Sequence, residues 1–190
     1  TDNLLREGVD SKKIHFVGNV MVDSLLLHKE VAFKTSTIID DLVLKPNQFA
    51  VLTIHRPSNV DQAQTLESIL SGIREISKEL QVIFPAHPRT KKMIQKFNLG
   101  HYLKSVTLIE PQPYFDMIRL MSQAKMVLTD SGGIQEETTI LGVPCLTIRE
   151  NTERPVTIEI GTNTLVGTDT QKILETAKNV LKLDRQNKKK

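Results

Sequence analysis

The residues with the most chemical reach lie in one short stretch, TDSGGIQEE, from Thr129 to Glu137. Ser131, Gly132 and Gly133 follow an apolar run, KMVLTD, and open a stretch whose spacing predicts a helix. Glycines at such a point let the backbone turn tightly and let an anion approach with no Cβ in the way. The first N–H groups of a helix have no partner within it and point outward with the positive end of the dipole. Ser131 can cap that helix or give its hydroxyl to a phosphate. The pattern fits a diphosphate seat, and it also fits a capped strand-to-helix turn. It is neither a Walker loop, which needs Gly-Lys-Ser/Thr, nor the Gly-x-Gly-x-x-Gly dinucleotide turn. Glu137 lies four residues beyond Gly133 and so shares its helix face. There it is placed to accept two hydrogen bonds from a ribose diol, or simply to complement the helix dipole. Glu136 points about 100° away and reads as the structural member of the pair, the one more tolerant of change.

Three further clusters carry polar chemistry. His55-Arg56 ends the apolar run FAVLTI. A histidine there can bind phosphate or act as acid or base near neutral pH, and Arg56 can pair with a phosphate oxygen. The bland alternative is a histidine held in its loop by hydrogen bonds. His87-Pro88-Arg89, after QVIFPA, has the same form and the same alternative. The third cluster, RENTERP, spans Arg149 to Pro155. Arg154 precedes a proline and is biased away from helical geometry, so it either projects toward a ligand or pairs within a salt-bridged turn. His55 and His87 have no acidic partner at metal-ligand spacing, which argues against a zinc site. His15, His28 and His101 fall in no usable pattern.

The elements that must position these groups are legible as alternating segments. Short β-branched runs occur at IHFVG (14–18), FAVLTI (49–54), QVIFPA (81–86), SVTLIE (105–110), KMVLTD (125–130), PCLTIR (144–149) and NTLVG (163–167). Helix patterns lie between most of them. In one, Leu66, Ile69, Leu70, Ile73 and Ile76 recur at helical spacing. Strand and helix in alternation imply an α/β domain, a Rossmann-like parallel sheet with helices on both faces. The nearly all-apolar runs suit strands buried on both sides. The polar clusters then gather at the carboxyl edge of the sheet, where open α/β sheets bind ligands. The reading is one domain, 49–190, with 1–48 as a lead-in segment packing on it.

Composition narrows the classes. The 190 residues are 39% hydrophobic and 25% charged, ordinary globular usage, and a net charge of +3 is too small to argue for nucleic acid. The single cysteine, Cys145, excludes an internal disulfide and reads as a buried thiol rather than a nucleophile. No apolar run approaches the about 20 residues that span a membrane. A soluble protein of the reducing cytoplasm is the expectation, with Asn187–Lys190 as a solvated tail. Thr1 stands inside a helix pattern without a methionine, which suggests a piece of something longer.

HRPSN, HPR, LIEPQPY, TDSGGIQEE, LGVP and RENTERP, in that order, closely resemble the non-hydrolysing UDP-N-acetylglucosamine 2-epimerases. GVDSKKIHFVGNVMVD also resembles the segment by which that family enters its second domain. The resemblance implies one half of a GT-B fold: two Rossmann-like domains with the active site between them, this chain being the carboxyl-terminal, nucleotide-holding one. The partner would be the amino-terminal domain, which this chain lacks; the family also often forms dimers. By the resemblance, Ser131, Gly132 and Gly133 bind the diphosphate, Glu137 holds the ribose, and His55 lies at the diphosphate and takes part in catalysis. Arg154 also lines the site, where Arg56 and His87 are further candidates for substrate binding. The implied reaction inverts C2 of the sugar with no nicotinamide or other cofactor, by eliminating UDP to a 2-acetamidoglucal and adding it back. The proton chemistry belongs to carboxylates of the other domain, so this chain alone is expected not to epimerise. Three departures stand out. HRPSN replaces the family's His-Arg-Arg-Glu-Asn, which puts a regulatory second UDP-GlcNAc site in doubt; Val156 follows Thr-Glu-Arg-Pro where glutamate is common; and Met117 or Phe115 replaces an aromatic near the uracil. A GT-B glycosyltransferase and a non-catalytic nucleotide-sugar-binding domain are the rival readings.

Overall fold

The computed structural model describes residues 1–182, so the lysine-rich tail read as solvated lies outside the described residues. Six strands form the sheet: β1 (Phe49–Thr53), β2 (Gln81–Pro85), β3 (Val106–Ile109), β4 (Met126–Thr129), β5 (Cys145–Thr147) and β6 (Asn163–Leu165). All neighbouring pairs are parallel, in the order β3-β2-β1-β4-β5-β6. The chain builds outward from β1 in one direction, then returns to β1's other side and builds outward from β4. That reversal opens a crevice at the carboxyl ends of β1 and β4.

The helices are α1 (Asp2–Arg6), α2 (Val20–Thr35), α3 (Ile38–Asp41), α4 (Pro57–Val60), α5 (Ala63–Ile76), α6 (Pro88–Lys96), α7 (Tyr114–Gln123), α8 (Gly132–Leu141), α9 (Val156–Glu159) and α10 (Thr170–Lys182). Alternation along β1 sorts them onto two faces. Ala50 and Leu52 pack with Leu66, Ile69, Leu70, Ile73 and Ile76 of α5 and with Ile173, Ala177 and Val180 of α10. Phe49 and Val51 point the other way, onto Ile38 and Ile39 of α3 and Leu120 and Met121 of α7. The helical spacing read for α5 thus names the side chains that fill one core. Helix α8 stops where Gly142 takes a left-handed conformation, φ 68°, which glycine adopts without steric cost.

One expected strand is absent. The run 14–18 pairs with neither outer strand, β3 nor β6, and Phe16 and Val17 are 89% and 71% exposed. Its residue types suit a strand, but it lies along neither open edge of the sheet and belongs to none of the core clusters. Further along the lead-in segment, Leu25 and Ala32 of α2 are buried against Ile118 and Leu141. Among the described residues no helix is long and apolar enough to cross a membrane.

Candidate functional site

The crevice is organised by a residue at the end of β4. Asp130 is fully buried, and buried carboxylates persist only where donors surround them. The backbone N–H groups of His55 and Arg56 each donate to Asp130 Oδ2 at 2.9 Å, and Asn59 Nδ2 donates to the same oxygen at 3.1 Å. The other oxygen meets His55 Nδ1 at 3.0 Å. Arg56 returns along the strand end, its Nε donating to the Asp130 carbonyl at 2.9 Å. Asn59 also holds the Ile148 carbonyl at 2.9 Å, tying β5 into the cluster. Pro57 in the departing HRPSN motif takes the first position of α4, where its missing N–H is no loss.

This geometry determines the state of His55. Its Nδ1 faces a carboxylate and carries the proton, which leaves Nε2 for the crevice. The hydrogen bond to Asp130 raises the imidazole pKa, outweighing the opposite pull of burial and of Arg56. Burial pushes the Asp130 carboxyl up, but the hydrogen bonds from His55 and Arg56 prevail and hold it below its ordinary value. The pair's stabilisation is therefore bounded on both sides. It is complete below the ordinary histidine value of 6.5 and is lost as pH rises through the higher folded value. It is complete above the ordinary aspartate value of 3.8 and is lost as pH falls through the lower folded value. Thermal unfolding followed across pH is expected to show the melting temperature declining above pH 6.5, and His55→Asn, which cannot titrate, is expected to flatten that decline.

Helix α8 begins beside Asp130. Ser131 occupies the cap position without using its side chain to cap, and its N–H donates to Thr129 Oγ1 at 3.0 Å. Its hydroxyl stays available at the helix N-terminus. A Cβ on Gly132 would meet nothing nearer than Glu153 Oε2, at 3.9 Å, so the backbone there is open to an approaching group. Gly133 differs, because a Cβ on it would lie 2.6 Å from Met21 Cε of α2. The missing side chain at Gly133 makes room first for that methionine.

The two glutamates separate as their helical angles require. Glu137 is buried and takes a hydrogen bond at 3.0 Å from the Tyr114 hydroxyl on α7. Burial raises its carboxyl pKa, the Tyr114 bond pulls it back, and the neighbouring Glu136 charge pushes it up again. Glu136 is also buried. Its Oε1 accepts from Asn19 Nδ2 at 2.8 Å and meets Arg154 Nε at 3.3 Å. Joining three distant segments, it is placed badly for the tolerance expected of it, since replacing it strands the Asn19 amide and the half-exposed Arg154 together.

The remaining candidates sort by location. His87 takes the Arg89 N–H on Nδ1 at 3.2 Å, and its ring lies 6.3 Å from that of His55. Between them opens a cleft of about 250 Å³ lined by Ile54, Pro85, Pro111, Gln112 and Met117. Met117 enters this cleft, whereas Phe115 packs on His28, ring centroids 5.5 Å apart. Arg56 and Arg149 both pair with Glu153, whose carboxyl the Arg149 bonds hold down at about 2. Cys145 is buried and its thiol is pushed up to about 11 by that burial, as an inert core thiol should be. Among the described residues no group of three or more His, Cys, Asp or Glu stands at metal-binding distance. Asp130, Asn59, Asn19, Met21 and Tyr114 are the residues that sequence reasoning left without a role. The one available signal was Asp130, a charge closing an apolar strand.

Known proteins share this sequence pattern and fold. The sequence model described as UDP-N-acetylglucosamine 2-epimerase matches residues 1–190. The UDP-N-acetylglucosamine 2-epimerase of Methanocaldococcus jannaschii is 44% identical over 182 residues, 92% of this chain and 50% of that protein. Its crystal structure in complex with UDP-GlcNAc and UDP superposes with a TM-score of 0.87 at 42% identity, over 97% of this chain and 52% of that one. The Neisseria meningitidis UDP-GlcNAc 2-epimerase bound to UDP-GlcNAc gives 0.80 at 33% identity, over 94% and 50%. The chain thus spans about half the length of the relatives it matches.

Proposed function

Because this chain belongs to the UDP-N-acetylglucosamine 2-epimerase family, we propose that it is the UDP-binding half of an enzyme interconverting UDP-GlcNAc and UDP-ManNAc. One observation carries the assignment. The N-terminus of α8 is open at Ser131 and Gly132, and a buried carboxylate, Glu137, lies one turn further on the same helix. That pairing suits a nucleoside diphosphate: N–H groups and a free hydroxyl for the phosphates, and an acceptor for the ribose diol. The cleft holding Met117 would take the base, with His87 on its wall.

The chemistry follows from what must leave. Elimination breaks the bond from C1 of the sugar to the UDP oxygen and takes a proton from C2, giving UDP and a 2-acetamidoglucal. Negative charge grows on the departing diphosphate, where the α8 N-terminus and a protonated His55 stabilise it. Re-addition remakes the bond from C1 to the UDP oxygen and delivers a proton to C2 from the opposite face, which inverts that centre. At this rim Asp130 is taken up by the N–H groups of His55 and Arg56, Glu136 meets Arg154 and Glu153 meets Arg149. The proton steps are assigned to an amino-terminal half, the partner that residues 49–182 and their lead-in would face. Titration calorimetry with UDP, and a chromatographic assay for UDP-ManNAc from UDP-GlcNAc, test both parts. The chain is expected to bind UDP and to give no turnover; turnover by the chain alone would overturn the division of labour.

A further inference from the structure

Glu136 has an arrangement that the proposed function leaves unexplained. One of its oxygens, Oε1, serves both Asn19 and Arg154, while Oε2 is buried with no partner. A buried carboxylate with an idle oxygen is costly to keep, so its charge is wanted in that place. Arg154 is engaged through Nε, and among the described residues Glu136 is the one recorded partner of its guanidinium. A guanidinium presents its five N–H donors in a fixed fork. Holding it by Nε leaves both terminal nitrogens for a second anion. Glu153, the residue before Arg154, lies 3.9 Å from where a Cβ on Gly132 would stand, so this loop runs over the first turn of α8. On the far side, Asn19 caps α2, its Oδ1 accepting the Met21 N–H at 3.0 Å while its amide grips Glu136. Met21 in turn covers Gly133.

We propose that Glu136 is a positioning residue, orienting Arg154 by its Nε so that the terminal nitrogens meet the diphosphate at the start of α8, with Asn19 fixing Glu136 in turn. The direction of a substrate-facing arginine is thereby set from the beginning of α2, 117 residues away in sequence from the glutamate it grips. This rests on the reading of Ser131–Gly133 as a diphosphate seat.

The test is a double-mutant cycle read by calorimetry with UDP and with uridine, on the wild-type chain, Glu136→Gln, Arg154→Ala and the double variant. Glu136→Gln and Arg154→Ala are each expected to weaken UDP binding roughly tenfold and to leave uridine binding unchanged. The double variant is expected to bind UDP no more weakly than Arg154→Ala alone. Asn19→Asp, which keeps the Oδ1 cap on the Met21 N–H but loses the amide that grips Glu136, is expected to weaken UDP binding in the same direction. Additive losses, or a Glu136→Gln chain that melts earlier yet binds UDP normally, would overturn the positioning role while leaving the nucleotide site intact. No UDP binding by the wild type would remove the site itself, and this role with it.

Discussion

Replacing Glu137 with alanine is expected to weaken UDP binding by roughly 10- to 100-fold. A hydrogen bond to a charged group contributes about 1.5–3 kcal/mol, and about 1.4 kcal/mol is tenfold in affinity. The loss should be specific to the ribose. The wild-type chain is expected to prefer UDP over 2′-deoxy-UDP, and Glu137→Ala to bind the two alike. Folding should suffer little, because Glu137 has no cation partner to strand in the interior; its recorded hydrogen bond comes from the Tyr114 hydroxyl, which is itself partly exposed. Tyr114→Phe keeps the carboxylate but frees its direction, and an intermediate loss of discrimination is the expected result. Equal UDP affinity in wild type and Glu137→Ala, measured by calorimetry, would defeat the ribose assignment.

Asp130→Ala is the substitution expected to damage the fold most. It removes the acceptor for two backbone N–H groups, the Asn59 amide and the His55 ring, all at the switch point of the sheet. Breaking a buried, hydrogen-bonded charge typically costs about 3–5 kcal/mol. In a domain of this size each kcal/mol shifts the melting temperature by about 2–4 °C, so a drop of roughly 6–20 °C is expected in a thermal scan. Asp130→Asn keeps the shape but faces those donors with one acceptor oxygen and an amide, and it should fall between wild type and alanine. A melting temperature unchanged in Asp130→Ala would show that the cluster is incidental to the fold.

What could be read in advance divides along the range of the interactions. The α5 positions Leu66, Ile69, Leu70, Ile73 and Ile76 are set by a local period, and all five are buried. The gathering of His55, His87, Ser131 and Arg149 at strand ends follows from a parallel sheet, and β1, β2, β4 and β5 end at or just before them. The run 14–18 misled because residue type predicts an extended backbone but not whether another strand lies beside it. The two glutamates show the same boundary. Helical geometry separates Glu136 from Glu137, but nothing local to TDSGGIQEE names Asn19 or Arg154 as the groups waiting for Glu136. Likewise, the glycines announced room at the helix start without revealing that Met21 occupies part of it.

The strand order has a further consequence, for the sequence of events in folding. Strands β1 to β3 pair with neighbours in the chain, and so do β4 to β6. The two triplets meet along one seam, where Thr53 Oγ1 and Thr129 Oγ1 lie 2.7 Å apart across 76 residues of sequence. Closing a loop of that length is entropically unfavourable until the contacts at its ends compensate. The Asp130 bonds to His55, Arg56 and Asn59 are among those contacts. The crevice proposed to receive the diphosphate is therefore also the joint by which two half-sheets become one, and a chain that has not closed this joint has no ligand seat to offer.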